Sequence, residues 1–106
     1  MSFHASYRIR DDAVIITMSG DLDATTAPVF KESVDQAVGP GAKHLVLDMR
    51  ELDYLSSAGL RQLIHARQKM DDDVQIELVG VKDRVAQTIR LVGFDQSVTF
   101  SESLPE

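Results

Sequence analysis

The 106-residue chain contains no cysteine, which excludes disulfide frameworks and thiolate chemistry alike. Basic side chains are in deficit: 11 Lys and Arg against 17 Asp and Glu leave a net charge of −6, whereas a phosphate-binding surface needs clustered cations. No nucleic-acid partner is expected. Long apolar runs are also missing. A membrane-spanning helix takes ~18 or more successive apolar residues, and stretches such as Val14-Ile15-Ile16 are far shorter, so no membrane insertion is expected. The start, Met1-Ser2-Phe3-His4-Ala5, has neither a basic opening nor an apolar h-region, which predicts no signal peptide and a cytoplasmic location. Nucleotide fingerprints are absent too: there is no Gly-rich loop closing on Lys-Ser or Lys-Thr and no Gly-x-Gly-x-x-Gly after a strand. What remains is 43% hydrophobic and 26% charged residues, enough for one core, because a chain of this size buries roughly 60 to 70% of its unfolded surface. The expected partner is a protein.

Gly and Pro fall singly between periodic segments, so one domain spans 1–106 without linkers or repeats. Tyr7 to Arg10 and Ala13 to Ser19 are predicted strands meeting at Asp11-Asp12, with Val14, Ile16 and Met18 alternating against Ile15, Thr17 and Ser19. A helix follows, with Thr25 or Thr26 as cap, Pro28 in the first turn and Phe30, Val34, Ala37 and Val38 at helical spacing, until Gly39-Pro40-Gly41 stops it. His44 to Met49 holds the unbroken run Leu45-Val46-Leu47, the pattern of a strand covered on both faces. A turn over Arg50 to Ser56 leads to a second helix burying Leu60, Leu63, Ile64 and Met70, and Asp71-Asp72-Asp73 ends it. Val74 to Val79 reads as a strand, Val85, Ile89 and Val92 as the stripe of a third helix capped by Gly93, and Val98 to Phe100 as a last short strand. The tail from Glu102 to Glu106 has no period and is expected to fray. The fold class is α/β: a mixed central sheet in the order ββαβαβαβ with helices packed on it, as a single compact domain.

In open sheets of this kind, the loops at the carboxyl ends of the strands carry function. Gly20 to Thr26 and Arg50 to Ser57 both leave strands that run the same way, which predicts that Asp21, Asp23, Ser56 and Ser57 share one edge. Ser56-Ser57-Ala58-Gly59 stands where a loop becomes a helix, a position at which a serine hydroxyl caps a free amide. Only one of two adjacent serines can hold that cap, so the other should project outward from a rigid corner, open to modification. A hydrolase nucleophile there would need Gly two residues before it and two after. Ser57 has Gly59 but Leu55, and His4, His44 and His65 are scattered over a terminus, a strand start and an outer helix face. Neither a triad nor a metal site is expected. Asp21 and Asp23 flank Leu22, so a paired acid and base is disfavoured, and Asp23 is equally suited to accept from the amides that open the first helix.

At these two loops the sequence resembles the STAS family, whose small single-domain members are bacterial anti-sigma factor antagonists. Gly20-Asp21-Leu22-Asp23-Ala24-Thr25-Thr26-Ala27 is similar to the family's Gly-x-Leu-Asp segment before its first helix. Leu45-Val46-Leu47-Asp48 with Leu52-Asp53-Tyr54-Leu55-Ser56-Ser57-Ala58-Gly59-Leu60 is similar to its central strand and phosphorylation loop, and Val92-Gly93-Phe94-Asp95 to the end of its third helix. The resemblance implies a STAS-like sheet and a partner-switching protein that is not an enzyme and needs no cofactor. Its unmodified form would bind an anti-sigma factor that is also a serine kinase of the GHKL type, freeing a sigma factor; phosphorylation would end the association and a serine phosphatase would restore it. It places the phospho-acceptor at Ser57, with Ser56 the alternative, and a partner surface at Asp21, Asp23, Thr25, Ser56, Ala58, Gly59, Arg61 and His65. Two features depart from the family pattern: Ser56 stands where well-known antagonists carry Asp, and the C-terminal helix is missing or vestigial. The runner-up implied by the same resemblance is an unphosphorylated STAS adaptor subunit of a transporter or lipid-trafficking complex.

Overall fold

Alternation of apolar and polar residues builds a hairpin from β1 (Phe3–Arg10) and β2 (Ala13–Leu22), paired antiparallel from Phe3 opposite Gly20 to Arg10 opposite Ala13. Its two-residue turn needs a left-handed first position, and Asp11 supplies it at φ 57°, a conformation that Asp tolerates better than most residues. This computed structural model describes residues 3–39 and 41–104. Met1 and Ser2 of the predicted leaderless start, Pro40 of the predicted helix stop, and Pro105 and Glu106 of the tail lie outside those residues.

After the hairpin come α1 (Ala27–Ala37), β3 (His44–Leu55), α2 (Ser57–Lys69), β4 (Gln75–Val79), α3 (Asp83–Leu91), a 3-10 turn (Phe94–Ser97) and β5 (Thr99–Ser101). The five strands lie in the order β1-β2-β3-β4-β5, with every pair after the hairpin parallel. This is the predicted ββαβαβαβ succession on a mixed sheet. All three helices cover one face of it. Phe30 and Val34 of α1, Leu60 and Leu63 of α2, and Val85 and Ile89 of α3 join Ile16, Met18, Leu45, Leu47, Met49 and Leu78 in one core. On the opposite face Ile15, Val46 and Val79 form a small second apolar cluster, with Leu104 packed against them. No helix among the described residues is long and apolar enough to cross a membrane.

Several predicted boundaries move. β1 begins at Phe3, so His4 sits in a strand opposite Ser19 and not in a frayed terminus. The predicted turn from Arg50 to Ser56 is mostly strand: β2 and β3 stay paired beyond register shifts after Thr17 and Gly20, as far as Leu22 opposite Leu55. Acidic residues in that stretch hide the strand, because only Leu52 and Leu55 turn inward while Glu51, Asp53 and Tyr54 face water. Met70 lies just past α2 as its C-cap, half-buried, and Ala66 takes its place in the buried stripe. Val92 is likewise a C-cap residue and exposed, whereas Ala86 completes the stripe of α3. Gly93 adopts the predicted left-handed conformation at φ 79°. The final strand is shifted by one residue, to Thr99–Ser101.

Candidate partner-binding site

The carboxyl edge of the sheet is assembled by direct contact between two segments. The backbone N–H of Ser56 donates to the Leu22 carbonyl at 2.9 Å, and Asp21 lies opposite Tyr54 in the β2–β3 ladder. Gly59 lets α2 approach this closely: a Cβ there would stand 2.6 Å from the Leu22 carbonyl oxygen and 2.8 Å from Leu22 Cγ. Asp21, Asp23, Ser56 and Ser57 therefore lie on one edge, as the order of elements implies.

The two serines divide their labour. Ser56 is the N-cap of α2, extended at φ −85° and ψ 172°, and its Oγ accepts from the Gly59 N–H at 3.1 Å. Ser57 is the first helical residue and is exposed; among the described residues its hydroxyl has no hydrogen-bond partner. Capping thus explains Ser56 and leaves Ser57 unexplained by structure.

Asp23 organises the other segment. Its Oδ1 accepts from the N–H groups of Thr25 and Thr26 at 3.0 and 3.1 Å, and Thr26 Oγ1 in turn accepts from the Asp23 N–H at 2.9 Å. Thr26 Oγ1 also donates to the Asp21 carbonyl at 2.8 Å. Thr26 stands at the N-cap of α1 without making a side-chain cap bond; the amides ahead of that helix are met by Asp23 instead. One carboxylate oxygen is thereby committed, and the half-buried Asp23 presents the remainder of its charge at the edge.

Thr25 is exposed beside it. Of the predicted surface on α2, Ala58 is half-buried, Arg61 is exposed one turn beyond Ser57, and Gly59 is buried and serves the packing against Leu22. His65 is exposed eight residues along the helix, about 12 Å from Ser57 at 1.5 Å per residue, and it flanks a groove between α1 and α2. His44 begins β3 at the other end of that strand and contacts Glu77 through Nε2 at 3.1 Å. No histidine is hydrogen-bonded to Ser57 among the described residues. Nor is any group of three or more His, Cys, Asp or Glu placed to hold a metal ion there.

Sequence patterns did not single out three further features. Tyr54 is 47% exposed next to the serines, a large apolar ring at the edge whose signal was masked by its place in a presumed turn. Lys82, at the start of α3, pairs with Asp53 and ties the β4–α3 loop to the end of β3. Asp48 is a buried carboxylate on the sheet face away from the helices; Arg50 Nε and Nη2 donate to its two oxygens at 2.9 and 2.8 Å, and the Arg50 N–H at 3.2 Å. Burial alone would push the Asp48 carboxyl up, but the Arg50 hydrogen bonds, with the charges of Arg50 and Arg8, hold it below the usual carboxylate range. Gly80 makes room for that arginine, since a Cβ there would meet Arg50 Cγ at 2.2 Å.

The chain is thus a small α/β domain: a mixed sheet with helices on one face, carrying at its carboxyl edge an exposed hydroxyl on a capped helix corner beside a carboxylate-organised turn. The STAS domain model matches residues 4–106. The anti-sigma-F factor antagonist RsfB of Mycobacterium tuberculosis is 24% identical over 90 residues, covering 85% of this chain and 74% of RsfB. BtrV of Bordetella bronchiseptica is 31% identical over 85 residues, 79% of this chain and 73% of BtrV. The crystal structure of an anti-sigma factor antagonist from Mycobacterium paratuberculosis superposes with a TM-score of 0.87 at 23% identity, over 97% of this chain and 88% of that one. The chain belongs to the STAS domain family.

Proposed function

We propose that this protein is an anti-sigma factor antagonist whose binding is switched at Ser57. In its unmodified form it docks, in the cytoplasm, on an anti-sigma factor that is also a GHKL-type serine kinase, through the edge formed by Asp21, Asp23, Thr25, Ser56, Ala58 and Arg61, and so frees a sigma factor. The chain acts by binding, and ATP belongs to its partner. The observation that carries this reading is the pair of serines at the head of α2, of which one is used as a cap and the next is free and exposed. Relatives described as anti-sigma factor antagonists support the antagonist part of this reading.

Phosphorylation of Ser57 adds about −1.5 to −2 charges at pH 7. The start of a helix favours an anion by typically 0.3 to 1 kcal/mol, so the fold tolerates the group. A docked partner meets a hydrated dianion on an already acidic edge. Like-charge contact costs several kcal/mol, and each ~1.4 kcal/mol is tenfold in affinity. A serine phosphatase restores binding.

The test is incubation of the purified protein with the anti-sigma kinase and ATP, followed by mass spectrometry. Phosphate on Ser57 is expected, with Ser57→Asp losing the kinase and Ser57→Ala binding it whether or not ATP is present. Phosphate confined to Ser56 would shift the acceptor by one residue. No phosphate on either serine, with binding unaffected by ATP, would place the protein among unmodified adaptors.

A further inference from the structure

We propose that the free edge of β1 accepts an extended acidic segment of a partner protein as a sixth strand. β1 is an outer strand of eight residues whose ladder with β2 runs from Phe3 to Arg10 without a register shift. No proline or bulge blunts it. Those are two of the devices by which outer strands are ordinarily protected from pairing.

The hairpin register fixes what the edge offers. A two-residue turn makes its flanking residues, Arg10 and Ala13, a hydrogen-bonded pair, and bonded and non-bonded pairs then alternate along the ladder. Arg8 and Ser6 therefore spend their backbone groups on β2, while Tyr7 and Ile9 aim theirs outward. Tyr7 and Ile9 are also the exposed apolar residues of the strand, at 43% and 62%. Beside them a groove of ≈ 370 Å³ has an apolar floor of Ile9, Val14, Ala37 and Ala42 and a rim that includes Asp11 and Asp12, so it takes an apolar side chain from an added strand and not one of its carboxylates. Main-chain bonds would supply affinity and this groove specificity.

Charge selects the occupant. β1 carries His4, Arg8 and Arg10 and no carboxylate within a chain of net charge −6. Among the described residues neither Arg8 nor Arg10 is within salt-bridge distance of a carboxylate; the charge of Arg8 acts on the buried Asp48 of the same face without pairing with it, Arg10 has no such neighbour, and the acids Asp11 and Asp12 lie beyond the last ladder pair, at the hairpin tip. Arg8 and Arg10 share the sheet face of Ile15, opposite to Tyr7 and Ile9. A complementary strand thus alternates carboxylates, which meet the arginines, with apolar residues, which meet Tyr7, Ile9 and the groove. A second copy would bring the same basic strand and a further −6, so like charges make it the poorer occupant.

The experiment is amide hydrogen exchange and fluorescence titration of the full chain with two octapeptides, one alternating glutamate with valine and one alternating lysine with valine. The glutamate peptide is expected to slow exchange at the Tyr7 and Ile9 amides and to leave Ser6 and Arg8 unchanged. Arg8→Gln combined with Arg10→Glu should weaken it about tenfold, the size set by two lost cross-strand pairs. Tyr7→Pro should abolish protection at Ile9, since it removes an outward N–H only; the charge variants keep the test decisive if that proline unfolds the hairpin. Equal binding of both peptides, no protection at Tyr7 and Ile9, or protection arising from self-association in the absence of peptide would each overturn the proposal.

Discussion

Gly59→Ala probes the contact that joins the two halves of the proposed docking edge. The new methyl would stand 2.6 Å from the Leu22 carbonyl oxygen and 2.8 Å from Leu22 Cγ, and neither neighbour yields easily. The oxygen is held by the Ser56 N–H at 2.9 Å, and the Leu22 side chain is fully buried in the core. Overpacking of a close-packed site costs about 1–3 kcal/mol, and stretching the Ser56 bond adds about 0.5–1.5 kcal/mol. Helix propensity works in the other direction, by up to about 1 kcal/mol in favour of Ala. The net expectation is a destabilisation of about 2 kcal/mol, or roughly 8 °C in Tm at about 4 °C per kcal/mol. Urea unfolding measures it as a lower midpoint at unchanged slope. Gly41→Ala is the control: nothing lies within 4 Å of its added Cβ and its φ is not positive, so it should be neutral or stabilise by about 0.4–1 kcal/mol. If Gly59→Ala were as stable as the parent, α2 would not be seated on Leu22, and the two segments would not form one edge.

Other substitutions separate scaffold from switch. Ser56→Ala should lower stability by about 1 kcal/mol through loss of the cap, whereas Ser57→Ala should stay within about 0.5 kcal/mol of the parent, both read by urea titration. Asp23→Ala removes two accepted amide bonds at the head of α1; it should cost about 0.5–2 kcal/mol and weaken binding to the anti-sigma kinase in a pull-down. Asp48 is held below the ordinary carboxylate range, so the unfolded chain takes up its proton first as pH falls. Its contribution to stability is present above the ordinary carboxylate value of about 3.9 and is lost as pH drops through the lower folded value. Asp48→Asn should cost about 1–2 kcal/mol at pH 7, moderated by solvent around the half-exposed Arg50, and should flatten the decline of the urea midpoint below pH 4.

Element order was legible because its signals are local. Phe30 with Val34, and Leu60 with Leu63, mark helices at three-and-four spacing, and Leu45-Val46-Leu47 marks a strand that both faces cover. The extension of β3 to Leu55 was not legible, because β2 and β3 shift register twice along it and the inward residues become Leu52 and Leu55, out of step with simple alternation. The meeting of Asp21 with the serine corner followed from topology alone. Its tightness did not: Gly59 reads as an ordinary helical glycine until the Leu22 backbone is placed against it. Asp48 likewise looks like a strand-end acid, and only the fold turns Arg50 back over Gly80 to satisfy it.

The adjacent serines also set what a phosphate at this corner does to the protein. A phosphate on Ser56 would attack the fold, because Ser56 Oγ is the acceptor that holds the Gly59 amide, and Gly59 is where α2 presses on Leu22. A phosphate on Ser57 leaves that cap intact and gains from the adjoining helix start, so its cost falls on a partner and not on the domain. The two modifications therefore predict opposite signatures in the free protein. Phosphorylated at Ser57, it should keep its urea midpoint and lose its kinase; phosphorylated at Ser56, it should lose both. Comparing the midpoint of the kinase-treated protein with that of the untreated protein distinguishes the acceptors, and a drop of more than about 1 kcal/mol, the worth of a typical cap, would rule out Ser57 as the sole site.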